Sequence, residues 1–237
     1  MNGNDILMPS YDVLLQDIKG ELSYSDRSGL NTDGFTARLF GKPLAGTITT
    51  RMGEFGEVTI NADGTTTVQD LYDWSEQTIL TRATGEFDYS ATLRIPFGND
   101  LDISSLEARS RLEGVIVDLP LPLGKSANEA RDFRYLNTFG DPVQRVEVDF
   151  GDDFRAILVL NEAKLVAGSV NFGEGEAGEP KSSGVTVAGA LDEVKLAQWQ
   201  SLTDDLQSKY LALSDVSLDA EMSRSVELID LEIGKLH

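Results

Sequence analysis

The chain has 237 residues, 41% of them hydrophobic, and its 40 acidic and 20 basic residues give a net charge of −20. This charge repels the phosphates of DNA and RNA and disfavours an anionic membrane surface, so we expect no nucleic-acid partner. The absence of cysteine excludes disulfides and thiolate chemistry, and no run approaches the roughly 18 apolar residues that a membrane-spanning helix needs.

Period-two alternation predicts strands in the first half of the chain. Val58 and Ile60 lead into residues 61–64, Asn-Ala-Asp-Gly, which predict a hairpin turn before a returning strand. Residues 70–80 have near-helical apolar spacing and predict a short helix with Asp70 as its N-cap. The next strand is predicted to stop at Pro96 and has alternating apolar residues: Phe87, Tyr89, Ala91, Leu93 and Ile95.

The middle of the chain predicts three further strands. Residues 114–119 are mostly apolar and run into Pro120 and Pro122, where the strand must leave its sheet or lie at an edge. A strand with Val146, Val148 and Phe150 on one parity is followed by a tight turn at residues 150–153. Residues 156–160 are entirely apolar, which predicts a strand covered on both faces.

The last part of the chain predicts a loop, a strand and a helix. Residues 173–184 are rich in glycine and polar residues and predict a flexible loop between strands. Val185 and Val187 share one strand face, and Gly189 suggests a bulge or bend. Residues 201–213 have one apolar helical face and a capping box at their start, so they predict a second short helix. The overall spacing is typical of a long antiparallel meander.

Residues with catalytic or metal-binding chemistry are scarce. The single histidine is His237, the last residue, so a Ser-His-Asp arrangement and an ordinary transition-metal site are excluded. The acids Asp149, Asp152 and Asp153 lack EF-hand spacing and fit a solvated hairpin. We therefore expect no enzyme, no metal and no cofactor. A carboxylate-dependent hydrolase stays an alternative, because the convergence of two acids cannot be read from sequence.

Several motifs occur in an order and spacing that resemble one family. They are "ARLFGKP" at residues 37–43, "GEFDYSATLRIP" at 85–96, "VDLPLPLGK" at 117–125 and "GVTVAGALDEVKLAQW" at 184–199, where Val194 replaces a leucine. With a further match at residues 20–30, the resemblance covers roughly residues 15–236. These motifs resemble the AsmA-like superfamily in its long YhdP-type branch, which comprises envelope proteins thought to carry phospholipid between two membranes.

The resemblance implies a mainly β fold, in which a long, strongly curved antiparallel sheet with two short helices forms an open U-shaped groove. Residues 1–237 would form one continuous groove segment, with residues 1–14 as a disordered or artificial lead-in. Because the chain ends within an alternating strand pattern at residues 231–237, we expect an internal piece of a longer periplasmic protein that is anchored in the inner membrane.

The same resemblance implies that the functional positions form an apolar stripe that contacts phospholipid acyl chains. The candidates are Phe87, Tyr89, Leu93, Ile95, Val146, Val148, Phe150, Val185 and Val187. For Phe87 and Tyr89, packing under a helix fits equally well. The expected partners are phospholipid and the remaining segments of the longer protein. The alternative is an all-β periplasmic or surface interaction module without lipid, because an ordinary sandwich has the same alternation.

Overall fold

The computed structural model describes residues 4–8, 12–98, 103–140, 143–162, 164–189 and 216–218. Residues 216–218 are described by their backbone alone. The helix predicted at residues 201–213 lies outside these ranges, as does most of the fourth motif.

The described part of the chain is built mainly from strands. The first eight strands are β1 Asn4–Met8, β2 Val13–Gly20, β3 Ser23–Ser25, β4 Gly29–Leu39, β5 Lys42–Arg51, β6 Gly56–Thr67, β7 Ala83–Thr84 and β8 Glu86–Phe97. The next eight strands are β9 Ser104–Ser110, β10 Ile116–Val117, β11 Phe133–Phe139, β12 Val143–Phe150, β13 Phe154–Asn161, β14 Lys164–Phe172, β15 Gly184–Gly189 and β16 Val216–Leu218. Helix α1, Val68–Ser75, and a 3-10 helix, Thr78–Arg82, lie between β6 and β7.

Fourteen strands form one sheet in the order β1-β2-β4-β5-β6-β8-β9-β11-β12-β13-β14-β15-β16, with β3 paired to β4. The mainly β fold is therefore as predicted. Strand β1 begins at Asn4, so the segment predicted as a lead-in contains a strand of the sheet. Strands β7 and β10 pair separately as a two-stranded ribbon. This ribbon confirms that the strand before the two prolines leaves the main sheet.

The sheet is mixed, and the prediction of a wholly antiparallel sheet was wrong. Strands β14, β15 and β16 pair in parallel. Residues 173–183 form the predicted loop, but they carry the chain back along the length of β14. Arg145 on β12 forms two 2.9 Å hydrogen bonds to the Glu179 carboxylate, and Arg155 on β13 donates one of 2.6 Å to the Gly175 carbonyl. Parallel neighbours need such a long connection.

The turn predicted at residues 61–64 was also wrong, because these residues lie inside β6. Gly64 pairs with Tyr89 on β8 and with Leu44 on β5. A Cβ at Gly64 would lie 2.8 Å from the Tyr89 hydroxyl oxygen. The glycine thus leaves room for a cross-strand ring instead of making a turn. Pro96 likewise does not stop β8, since it pairs with Glu57 and the strand continues to Phe97.

Helix α1 begins three residues earlier than predicted, directly after Thr67 instead of after Asp70. Thr67 is the N-cap, and its hydroxyl accepts a 3.0 Å hydrogen bond from the Asp70 amide. In turn, the Asp70 carboxylate accepts a 3.0 Å hydrogen bond from the Thr67 amide, which completes a capping box. Asp70 is therefore the third residue of the helix, and the sequence analysis placed the cap three residues late. With eight residues α1 is short, and no helix in the described ranges has the length and apolar character of a membrane span.

Strand β13 is less covered than its apolar sequence predicted. Ala156 is buried, but the residues from Ile157 to Leu160 all keep partial exposure. A buried parallel strand in a layered protein would be closed on both sides. Here the main sheet retains accessible apolar surface.

Candidate functional site

One face of the main sheet is apolar, and the strand register defines it. Directly paired residues in neighbouring strands project from the same face, so each side chain can be followed across the sheet. We call this surface the apolar face. Its centre consists of two cross-strand rows, which we call the inner rows, running from β5 to β15.

The first inner row consists of Gly46, Ala62, Ala91, Ala108, Tyr135, Val148, Ala156, Val170 and Val187. The second inner row consists of Ile48, Ile60, Leu93, Leu106, Asn137, Val146, Leu158, Gly168 and Val185. Nine strands thus present an almost unbroken apolar band at right angles to their own direction.

The register places all nine candidate residues of the sequence analysis on the apolar face. Five of them, Leu93, Val146, Val148, Val185 and Val187, lie in the inner rows and are half-buried. Ile95 lies one row further out and is 39% exposed. Contact of these side chains with acyl chains stays a prediction, because the strand register shows only where the side chains lie.

The candidates at the opposite end of the strands are covered by protein. We call the covering structure the cap; it comprises residues 68–84, which include α1, the 3-10 helix and β7, together with residues 111–131, which include β10. Val68, Leu112 and Val115 of the cap bury Phe150, and Phe87 packs against the same cluster. Phe87 and Phe150 therefore contact the cap, which is the packing alternative left open for Phe87. Tyr89 lies next to this end, and burial raises the pKa of its hydroxyl.

Away from the cap, the apolar face has no second layer in the described ranges. The helices and strands placed outside the main sheet are α1, the 3-10 helix, β7 and β10, and all of them belong to the cap. The crossover at residues 173–183 lies on the opposite face, as its bonds to Arg145 and Arg155 show. A sheet normally buries its apolar face against another element, and the described ranges supply no such element over the inner rows beyond the cap.

Lys125, the last residue of the "VDLPLPLGK" motif, holds the cap together. Its side chain is buried, and its ammonium donates to the carbonyl oxygens of Leu112, Val115 and Ser126 at 2.8, 2.5 and 3.1 Å. Burial lowers the pKa of this ammonium. The sequence analysis did not assign Lys125 a role. The sequence feature that could have indicated this role is a lysine that closely follows a turn with two prolines.

We expect Lys125→Met to destabilise the chain by about 2–3 kcal/mol, because three buried carbonyl groups lose a charged donor. Urea unfolding followed by circular dichroism measures this change. Lys19→Met is the matched control, since Lys19 is exposed, and it should stay within about 0.5 kcal/mol of wild type. Equal stability of both variants would contradict the role assigned to Lys125.

The opposite face of the sheet is polar, and its arginines Arg134 and Arg145 are paired with carboxylates. The Arg134 guanidinium on β11 contacts the carboxylates of Glu107, Glu147 and Asp149 at 2.7, 3.3 and 3.2 Å. These contacts raise the pKa of Arg134, and its hydrogen bond lowers the pKa of Glu107. Because Arg134 is surrounded by three acids, it is not available to bind a phosphate.

A depression of about 1340 Å³ lies at the capped end of the sheet, and charged side chains such as Asp63, Arg109 and Arg134 line part of it. It therefore differs in character from the apolar inner rows. In the ranges that the structure describes, no group of three or more His, Cys, Asp or Glu residues is placed to hold a metal ion.

Comparison with known families decides the assignment. The family model described as YhdP protein matches residues 1–237. The chain belongs to the YhdP family. No curated protein and no solved structure matches it. The YhdP assignment agrees with the resemblance found from motif order, and within this YhdP chain the matched region includes both the inner rows and the cap.

Proposed function

We propose that this chain is a segment of an envelope lipid-transport protein that shields phospholipid acyl chains on its apolar face between the inner and outer membranes. The observation that supports the proposal is the pair of apolar inner rows, which no second layer covers away from the cap in the described part of the chain. Membership of the YhdP family supports an envelope role related to lipid transport. We further propose a periplasmic location and direct continuation into other segments of a longer protein.

The energetics require a continuous apolar surface. Exposing an acyl chain to water costs about 0.8 kcal/mol per CH₂, so two chains with roughly thirty carbons together cost on the order of 25 kcal/mol. An isolated deep pocket would trap the lipid, whereas a row of similar apolar contacts lets it slide. The thirteen strands of the main path span twelve spacings, or about 58 Å along the hydrogen-bonding direction.

The proposed role needs no catalytic group. Apart from Tyr135 and Asn137, the residues of the inner rows are aliphatic or glycine and supply only apolar contact. The net charge of −20 disfavours tight binding of an anionic headgroup, and Arg134 is already paired with three carboxylates. We therefore propose that binding depends mainly on the acyl chains.

Native mass spectrometry of the purified 237-residue chain, with organic extraction of bound lipid, tests the proposal. We expect phospholipid in a stoichiometric amount, either co-purified or taken up from added vesicles of zwitterionic phospholipid. A chain that stays free of lipid after incubation with such vesicles would instead favour the all-β interaction module.

A further inference from the structure

Two polar side chains interrupt the inner rows, and both belong to β11. Tyr135 is in the first row between Ala108 and Val148, and Asn137 is in the second row between Leu106 and Val146. Among the described residues from β5 to β15, every other inner-row position is aliphatic or glycine. Because the two residues are two apart on one strand, their side chains are neighbours on the apolar face.

The Asn137 side chain holds a buried acceptor atom that lacks a partner among the described residues. Burial raises the pKa of the neighbouring Tyr135, and the Asn137 side chain partly offsets that effect. The Asn137 Oδ1 atom is buried and has no hydrogen-bond partner among the described residues. Buried acceptors of this kind are uncommon in folded proteins, and leaving one unpaired is unfavourable.

Resting on the proposed function, we propose that Tyr135 and Asn137 form a polar contact point that binds the hydrogen-bond-donating headgroup of a phospholipid. The free Asn137 oxygen needs a donor, which an ammonium or hydroxyl group supplies and a choline group lacks. Asn137 as a whole is half-buried, so a rotation of its amide brings the oxygen to the open side of the face.

The position of the pair on the sheet suits this role. Strand β11 lies four interstrand spacings from β5 on one side and four from β15 on the other. This corresponds to about 19 Å of inner rows in each direction. Acyl chains can therefore lie along the rows on either side of one polar point. The net charge of −20 disfavours anionic headgroups, so the favoured ligand is a zwitterionic lipid with a primary ammonium group.

Competition between two lipids tests the inference. The chain is incubated with vesicles containing equal amounts of phosphatidylethanolamine and phosphatidylcholine with identical acyl chains, and the bound lipid is extracted and quantified. For wild type we expect the ethanolamine-to-choline ratio to exceed the vesicle ratio by about fivefold, as one additional hydrogen bond would give. Asn137→Leu should return the ratio to that of the vesicles without reducing total lipid.

Two further variants make the result interpretable. Tyr135→Phe removes only the hydroxyl and should also lower the ratio, which provides a second test if Asn137→Leu does not fold. Asn61→Leu on β6 is the matched control, because Asn61 lies on the polar face and bonds Thr92 there, and it should keep the wild-type ratio. Bound lipid at the vesicle ratio in wild type would overturn this inference alone, whereas absence of lipid from every folded variant would overturn the proposed function and this inference with it.

Discussion

Leu93→Asp is expected to reduce phospholipid bound to the purified chain by at least about tenfold while the chain stays folded. Leu93 is in the second inner row, paired with Ile60 on β6 and Leu106 on β9. A carboxylate at this point must either lose its hydration against the acyl chain or keep its water and interrupt the apolar row. Either outcome costs several times the thermal energy.

Organic extraction with mass spectrometry measures the bound lipid, and circular dichroism measures folding. Asn61→Asp is the matched control, because it adds a similar acid to the neighbouring strand on the polar face. The control should retain lipid at the wild-type level. If Leu93→Asp unfolds the chain as a core mutation would, the apolar face is a closed core, and the interaction module becomes the better account.

Phe150→Ala is expected to lower the free energy of unfolding by about 3–5 kcal/mol. Phe150 is only 8% exposed and is packed between Val115, Leu112 and Val68 of the cap. The Arg131 guanidinium lies over its ring, 4.8 Å from the centroid. Truncation would leave a cavity and remove this cation–π contact, so the buried cluster that joins the cap to the sheet would lose its largest side chain.

For a chain of this size the loss corresponds to a fall in melting temperature of about 10 °C, which differential scanning calorimetry can measure. Phe55→Ala is the control, because Phe55 is 65% exposed in the turn between β5 and β6, and its melting temperature should change little. A similar small shift for Phe150→Ala would show that the cap does not depend on this residue.

Local sequence patterns predicted secondary structure correctly where residues close in the sequence determine it. The alternation from Phe87 to Ile95 predicted a strand with one apolar side because period two is a property of extended backbone. The same argument placed Val146 and Val148 correctly within a strand. The turn signal at residues 61–64 was misleading, because the segment continues as a strand in which Gly64 faces Tyr89 on the adjacent strand. That partner is 25 residues away, beyond any local signal.

Two features of the site also required long-range information. The burial of Phe150 depends on Val68 and Val115, which belong to distant segments of the chain. The parallel pairing of β14 and β15 depends on the crossover at residues 173–183, which Glu179 attaches to Arg145. A connection of that length was a usable signal, because a hairpin needs only two to five residues. The sequence analysis interpreted it only as a flexible loop.

The amino-acid sequence by itself determined the mainly β class, the one-sided strands and, through the order of its motifs, the YhdP family. These follow from residue spacing, which the chain carries without any knowledge of partners. Only the tertiary structure decided which apolar residues face the cap and which form the inner rows, because that depends on register across many strands. It also showed that the buried Asn137 oxygen has no partner among the described residues, since the burial of a polar atom depends on what surrounds it in space.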